Sequence, residues 1–192
     1  LLSSSLAHPL YAQSILSRGP YLQLGTSTSI IVKWKTTLPT ENQVKIGYTS
    51  TTYFQTKEIS LSTTDHEVVI DNLVPNTKYY YTIGDSHQVL QGDEQNYFTT
   101  YPASRSERSF RFWITCDCGN NSPNQLQVRD QYLKYTGSES TDGWLLLGDN
   151  AYSSGLEAEY DQNFFLNYQE NIMKHTVLWP VPGNHDYGNN PV

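Results

Sequence analysis

The hydrophobic period of this sequence changes once, near Tyr101, and that change divides the chain into two kinds of structure. Before it, apolar residues alternate. In TSIIVKWKT, Ile30, Val32 and Trp34 fall on one face and Ile31, Lys33 and Lys35 on the other. QVKIGYT repeats the alternation with Val44, Ile46 and Tyr48. HEVVIDNL, TKYYYTIG and QNYFTT follow, separated by turn residues and with no helical period between them. Short strands at this spacing predict an antiparallel β-sandwich over residues 18–101.

After a polar linker at 102–108 the pattern becomes buried runs alternating with helical segments. SFRFWITC, GWLLLGDN and TVLWPVPG are near-continuous apolar runs, the mark of strands buried on both faces. Between the first two, NNSPNQLQVRDQYLKYT opens with Ser122 as N-cap, Pro123 at the first helical position and Gln125 at capping-box spacing. Between the second and third, SGLEAEYDQNFFLNYQENIM reads as an amphipathic helix. This order predicts a βαβαβ unit with a parallel sheet over residues 109–192.

Composition excludes several functions. The formal net charge is −7, and the Lys and Arg residues are scattered, which argues against a nucleic-acid partner. No apolar run reaches about 18 residues, so no membrane span is expected. The first residues, LLSSSLAHPLYAQS, resemble the end of a secretory signal peptide, so residues 1–17 are expected to be its remnant and the protein to be secreted or periplasmic. The only cysteines are Cys116 and Cys118. Two residues apart on a strand, they share a face, and a bond between them would strain the backbone.

Three polar clusters stand where the three later strands stop. They are Asp117 in CDCG, Asp149 and Tyr152 in GDNAY, and Asn184, His185 and Asp186 in GNHD. They recur at intervals of 32 and 35 residues, one βαβ unit each. In a parallel sheet the carboxyl ends of adjacent strands line one edge, where ligands bind. Each cluster alone reads as an ordinary turn; together they form an oxygen-rich set suited to hard or borderline metal ions. Asp117 and Asp149 as a glycosidase pair would leave Tyr152 and GNHD unexplained.

Two resemblances follow from these residues. LVPNTKYYY, with Tyr79 at its corner, resembles the tyrosine corner of fibronectin type III domains, where a buried Tyr hydroxyl bonds back to the backbone. The order D-x-G, G-D-x-x-Y, G-N-H-D resembles the first three motifs of the calcineurin-like metallophosphoesterases, in the purple acid phosphatase branch, which also carries a fibronectin-like domain before its catalytic one. The resemblance implies an incomplete catalytic domain over 109–192 and hydrolysis of phosphate monoesters by a metal-activated hydroxide. It implies two metal ions, Fe(III) with Fe, Zn or Mn(II). Asp117 and Tyr152 would bind the first, Asn184 the second, and Asp149 would bridge them. His185 and Asp186 would lie at the substrate. Cys116 stands where the family has Gly. The family's three further His ligands, in V-x-x-H and G-H-x-H motifs, do not occur by Val192, so the chain is expected to be an N-terminal fragment, inactive alone. The alternative is a non-catalytic binding protein with the sandwich as its interaction module.

Overall fold

Alternation at a two-residue period gives strands with one buried face, and six such strands share a core in the first half of the chain. A computed structural model describes residues 15–188. The strands are β1 (Leu16–Gln23), β2 (Ile30–Gly47), β3 (Gln55–Ile70), β4 (Lys78–Gly84), β5 (Val89–Gln91) and β6 (Tyr97–Thr99), paired antiparallel. The signal-peptide reading falls mainly on residues 1–14, outside the described residues; β1 already includes Leu16 and Ser17.

The two runs TSIIVKWKT and QVKIGYT belong to one 18-residue strand rather than two. Its pairing with β3 shifts register between Lys35 and Asn42. Residues 30–35 lie between β1 and the end of β3, and residues 43–47 between the start of β3 and β4. β2 and β3 therefore pass together from one layer of the sandwich to the other. Ile30, Val32 and Trp34 from one layer pack with Val44, Ile46, Tyr81 and Ile83 from the other. Tyr48 departs from the alternation because β2 ends at Gly47, and its ring is exposed against Phe54. The tyrosine corner forms as expected: the Val74 N–H donates to the Tyr79 hydroxyl at 2.9 Å.

The second half supplies β7 (Phe112–Thr115), β8 (Gly143–Leu147) and β9 (Val177–Val181), parallel and adjacent in that order. β9 also pairs in parallel with β1 at Leu22↔Val177 and Gln23↔Leu178, so a single hydrogen-bonded sheet runs through both halves. Helix α1 (Pro123–Thr136) starts as the sequence indicates, with Ser122 Oγ accepting from the Gln125 N–H. The Gln125 side chain reaches one residue further back than a capping box, accepting from Asn121 N–H at 2.6 Å, because Asn120 already takes the Ser122 N–H.

Two expectations need correction. The second helical pattern, 157–173, is a broken helix, with π-helical turns at Tyr160–Phe165 and Gln169–Met173. The three parallel strands are buried on one face, not two. Trp113, Trp144, Leu146 and Leu178 pack under Phe164, Tyr168, Ile172 and Met173. On the opposite face Phe112 is 43% and Ile114 57% exposed, with Leu147 and Val181 exposed beside them. The helices among the described residues cover one side of the sheet, so continuous apolar runs here do not mean burial on both.

Candidate metal centre

Each of the three clusters begins where a parallel strand ends, and the backbone there is unusual. Asp117 and Asp149 both lie in the left-handed region, at φ 54° and 53°. Asp tolerates that conformation better than most residues, yet it still costs free energy, and such residues concentrate at functional sites. The turn after β7 falls on Asp117 itself, so Cys116, where Gly was expected, keeps a negative φ. The cysteines are both free, though not for the reason expected. β7 stops at Thr115, so Cys116 and Cys118 are not on a strand, and the first is exposed while the second is buried.

The loops are joined by their backbones. Asp117 N–H donates to Gly148 C=O at 3.1 Å, and Tyr152 N–H to Gly119 C=O at 2.9 Å. The GNHD loop presses onto Asp149: the His185 N–H donates to Asp149 Oδ1 at 3.0 Å, and a Cβ at Gly183 would run into that same carboxylate. A glycine at 183 is required by this approach.

Three of the expected ligands converge. The Tyr152 hydroxyl lies 2.6 Å from Asp117 Oδ1 and 3.2 Å from Asp149 Oδ2, one phenolic proton between two carboxylates. Hydrogen bonds from Tyr152, and then from Cys116, hold the Asp117 carboxyl below its ordinary value. Burial, followed by the hydrogen bond and charge of Asp117, pushes the Tyr152 phenol up. Without a cation the phenol is therefore a donor; a cation among these oxygens would favour its ionised form. The donor set, two carboxylates and a phenol, fits a hard cation. Among the described residues no three His, Cys, Asp or Glu side chains group as a metal site; the cluster depends on the tyrosine.

The His185 ring lies tilted against Tyr152, with ring centroids 4.3 Å apart. Its Nδ1 is 2.8 Å from the Ser153 carbonyl, which can only accept, so Nδ1 carries a proton and Nε2 is left for other work. Asn184 is exposed at the start of the short turn His185–Tyr187, one residue from the His185 N–H that binds Asp149.

Asp186, expected among the catalytic residues, is held by groups from both loops. Its carboxylate accepts the N–H groups of Asn150, Ala151 and Gly183, the Asn150 amide at 3.1 Å, and the Tyr160 hydroxyl at 2.7 Å. Burial alone would raise its pKa, but these hydrogen bonds outweigh it and the net shift is downward. Asp186 thus ties the second loop to the third and positions them. Glu159 does the same for the segment after Tyr152, accepting from the N–H groups of Ser153, Ser154 and Leu156. Sequence reasoning missed Glu159, Tyr160 and Asn150 in these roles. Glu159 and Tyr160 sit inside a helical pattern, and Asn150 stands within GDNAY with nothing in its spacing to mark it.

Fold and site together define a β-sandwich joined to a βαβαβ unit whose polar loops gather at the carboxyl edge of a parallel sheet. Residues 18–110 match the family model described as Purple acid Phosphatase, N-terminal domain. The fold is similar to that of purple acid phosphatase PPD1 from yellow lupin (Lupinus luteus) seeds, at 20% identity and TM-score 0.69, over 86% of this chain and 35% of that one. It is also similar to a structure of PhoD, at 14% identity and TM-score 0.66, over 95% of this chain and 41% of that one. No curated protein matches the chain. Residues 18–110 therefore resemble the purple acid phosphatase N-terminal domain, and the chain shares its fold with the purple acid phosphatase and PhoD structures while spanning less than half the length of either.

Proposed function

We propose that the chain is part of a dimetal phosphoesterase of the acid phosphatase type, acting on phosphate monoesters, with the metal centre at the carboxyl edge of β7–β9. The observation that carries this reading is the meeting of Asp117, Asp149 and Tyr152 around one phenolic proton, beside a purple acid phosphatase N-terminal domain. Asp117 and Tyr152 would hold one ion, Asn184 the other, and Asp149 would bridge them. Bound there, Fe(III) with Fe, Zn or Mn(II) would supply Lewis acidity to the phosphoryl oxygens and to water.

The residues of the chain do the rest. Asp149 is held rigidly by the His185 N–H and by the close approach of Gly183. His185 has its ring fixed by the Ser153 carbonyl. Its doubly protonated form can donate from Nε2 to a leaving alkoxide, and its neutral form cannot. Asp186 keeps the two loops in register. Four side-chain donors are few for two ions, so the chain alone is expected to show no phosphatase turnover.

The test is hydrolysis of p-nitrophenyl phosphate by the full-length protein after metal loading. His185→Ala is expected to lower kcat by about 10²–10⁴-fold, the usual contribution of a general acid. Metal-loaded full-length protein without hydrolysis would favour the alternative, a binding protein of phosphoesterase fold. The expectation of secretion, drawn from residues 1–17, belongs to the same reading. No helix among the described residues is long and apolar enough to cross a membrane.

A further inference from the structure

A phenol carried on a loop holds a metal ion firmly only where the backbone beneath it is fixed by groups other than the metal's own ligands. Tyr152 is on such a loop. Its neighbour Ser153 supplies the carbonyl that lies 2.8 Å from His185 Nδ1. The peptide joining Tyr152 to Ser153 therefore governs where both side chains point.

Both polar groups of that peptide are held by one segment of the broken helix 157–173. Asn163 Nδ2 donates to the Tyr152 carbonyl at 2.6 Å. Glu159 Oε1 accepts the Ser153 N–H at 2.7 Å, and its Oε2 accepts the N–H groups of Ser154 and Leu156, each at 2.9 Å. Residues four apart on a helix lie on one face, so the two grips come from the same side. A glutamate at a helix start ordinarily closes on the N-cap N–H alone. Glu159 accepts that bond from Leu156 and reaches back to Ser154 and Ser153 as well. The start of a helix does not call for those last two bonds.

Asn163 is itself anchored. Its backbone carbonyl accepts from Gln125 Nε2 at 2.7 Å and from Asn167 Nδ2 at 2.9 Å. The buried Gln125 side chain also accepts the Asn121 N–H in the first loop, four residues beyond Asp117. Tyr160, between Glu159 and Asn163, donates to Asp186 of the third loop at 2.7 Å. Residues 159–163 are thus bonded directly to the second and third loops and through Gln125 to the first, and none of the proposed ligands belongs to them. Tyr160–Phe165 is a π-helical turn, a feature that recurs at functional sites.

We propose that Glu159 and Asn163 are positioning residues of the metal centre. They fix the peptide between Tyr152 and Ser153, and through it the direction of the Tyr152 phenol and of the His185 ring. The inference rests on the metal-centre reading given above and extends it to a helix that carries none of the ligands.

The experiment is Fe(III) titration of the full-length protein and its variants, followed by visible absorption, with stability measured by urea unfolding. Asn163→Leu keeps the size of the side chain and removes its donor. Glu159→Gln keeps the shape and replaces the charged acceptor by an amide. Each is expected to move the maximum of the tyrosinate-to-iron band and to lower iron affinity about 10–100-fold, the usual cost of losing an outer partner of a metal ligand. Asn163→Asp, which sets a carboxylate against the Tyr152 carbonyl, serves the same purpose should Asn163→Leu fail to fold. Ile172→Val, a core change near the end of the same helix, is expected to lower stability and leave the band and the affinity as they are. An unmoved band with wild-type affinity in the folded Glu159 and Asn163 variants would overturn the proposal, and so would the same shift in Ile172→Val. A wild-type protein that binds iron without the band would overturn the metal-centre reading itself, and the proposal with it.

Discussion

The two halves of the chain use polar residues in opposite ways. In the sandwich, Tyr79 and His66 find their partners among near neighbours on strands already paired. Tyr79 caps its own corner. His66 stacks on Trp34 at 4.6 Å, between the Thr36 hydroxyl and Asn42 Oδ1. In the βαβαβ unit, polar groups from three separate strand ends meet, two of the carboxylates on left-handed backbone. The first arrangement stabilises a fold. The second spends conformational free energy to bring together groups that repel or compete, which is what a metal or substrate site requires.

If the halves differ in chemistry but share one sheet, core damage in either should be felt by both. The largest effect is expected from Trp144→Ala. Trp144 is fully buried, stacks on Trp113 at 4.5 Å and donates to Thr115 Oγ1 at 2.8 Å. Its removal should cost about 3–5 kcal/mol by urea unfolding. The transition should stay single, because β1 pairs with β9 and the Tyr81 hydroxyl donates to the Lys174 carbonyl at 2.7 Å. Two separated transitions would break the picture of one joined sheet.

Asp186→Asn should come next, at about 1.5–3 kcal/mol, since it weakens several hydrogen bonds to a charged group. It should also lower the affinity for Mn²⁺ or Zn²⁺ by calorimetry, because the loops it joins carry the proposed ligands. Tyr79→Phe leaves the Val74 N–H without its acceptor and should cost about 1–2 kcal/mol with metal affinity unchanged. A metal effect from Tyr79→Phe would erase the contrast between the halves.

The smallest expected effect is on pH dependence. Burial is the main cause that lowers His66 from 6.5 to about 4, against weaker upward pulls from Asp65 and Asp85. Burial likewise lowers His175 to about 4. The unfolded chain takes up these protons near pH 6.5 and the folded chain only near pH 4, so stability from this source is complete above pH 6.5 and declines as pH falls towards 4. His66→Gln should flatten part of that slope between pH 7 and 5; an unchanged slope would contradict burial of a neutral His66.

Much of this was legible in the sequence, and the gaps have physical reasons. Alternation placed Val32, Trp34, Val44 and Ile46 on buried faces, and the L-x-P-x-T-x-Y pattern located a real corner at Tyr79. Spacing by one βαβ unit brought Asp117, Asp149 and Tyr152 together. Apolar runs such as FWIT could not reveal that one face lacks a covering layer, since burial depends on what packs above the sheet. The π-helical turns left no mark in the period of 157–173. The type and position of Asp186 match the motif, but the ring of donors that ties it to both loops left no mark in the sequence.

The proposed metal centre rests on Asp117, Asp149 and Tyr152. Addition of Fe(III) to the full-length protein tests it most directly, followed by visible absorption with Tyr152→Phe as the control. A tyrosinate-to-iron charge-transfer band is expected in the wild type and is absent from the variant. Iron bound without colour, or a band that survives Tyr152→Phe, would contradict it.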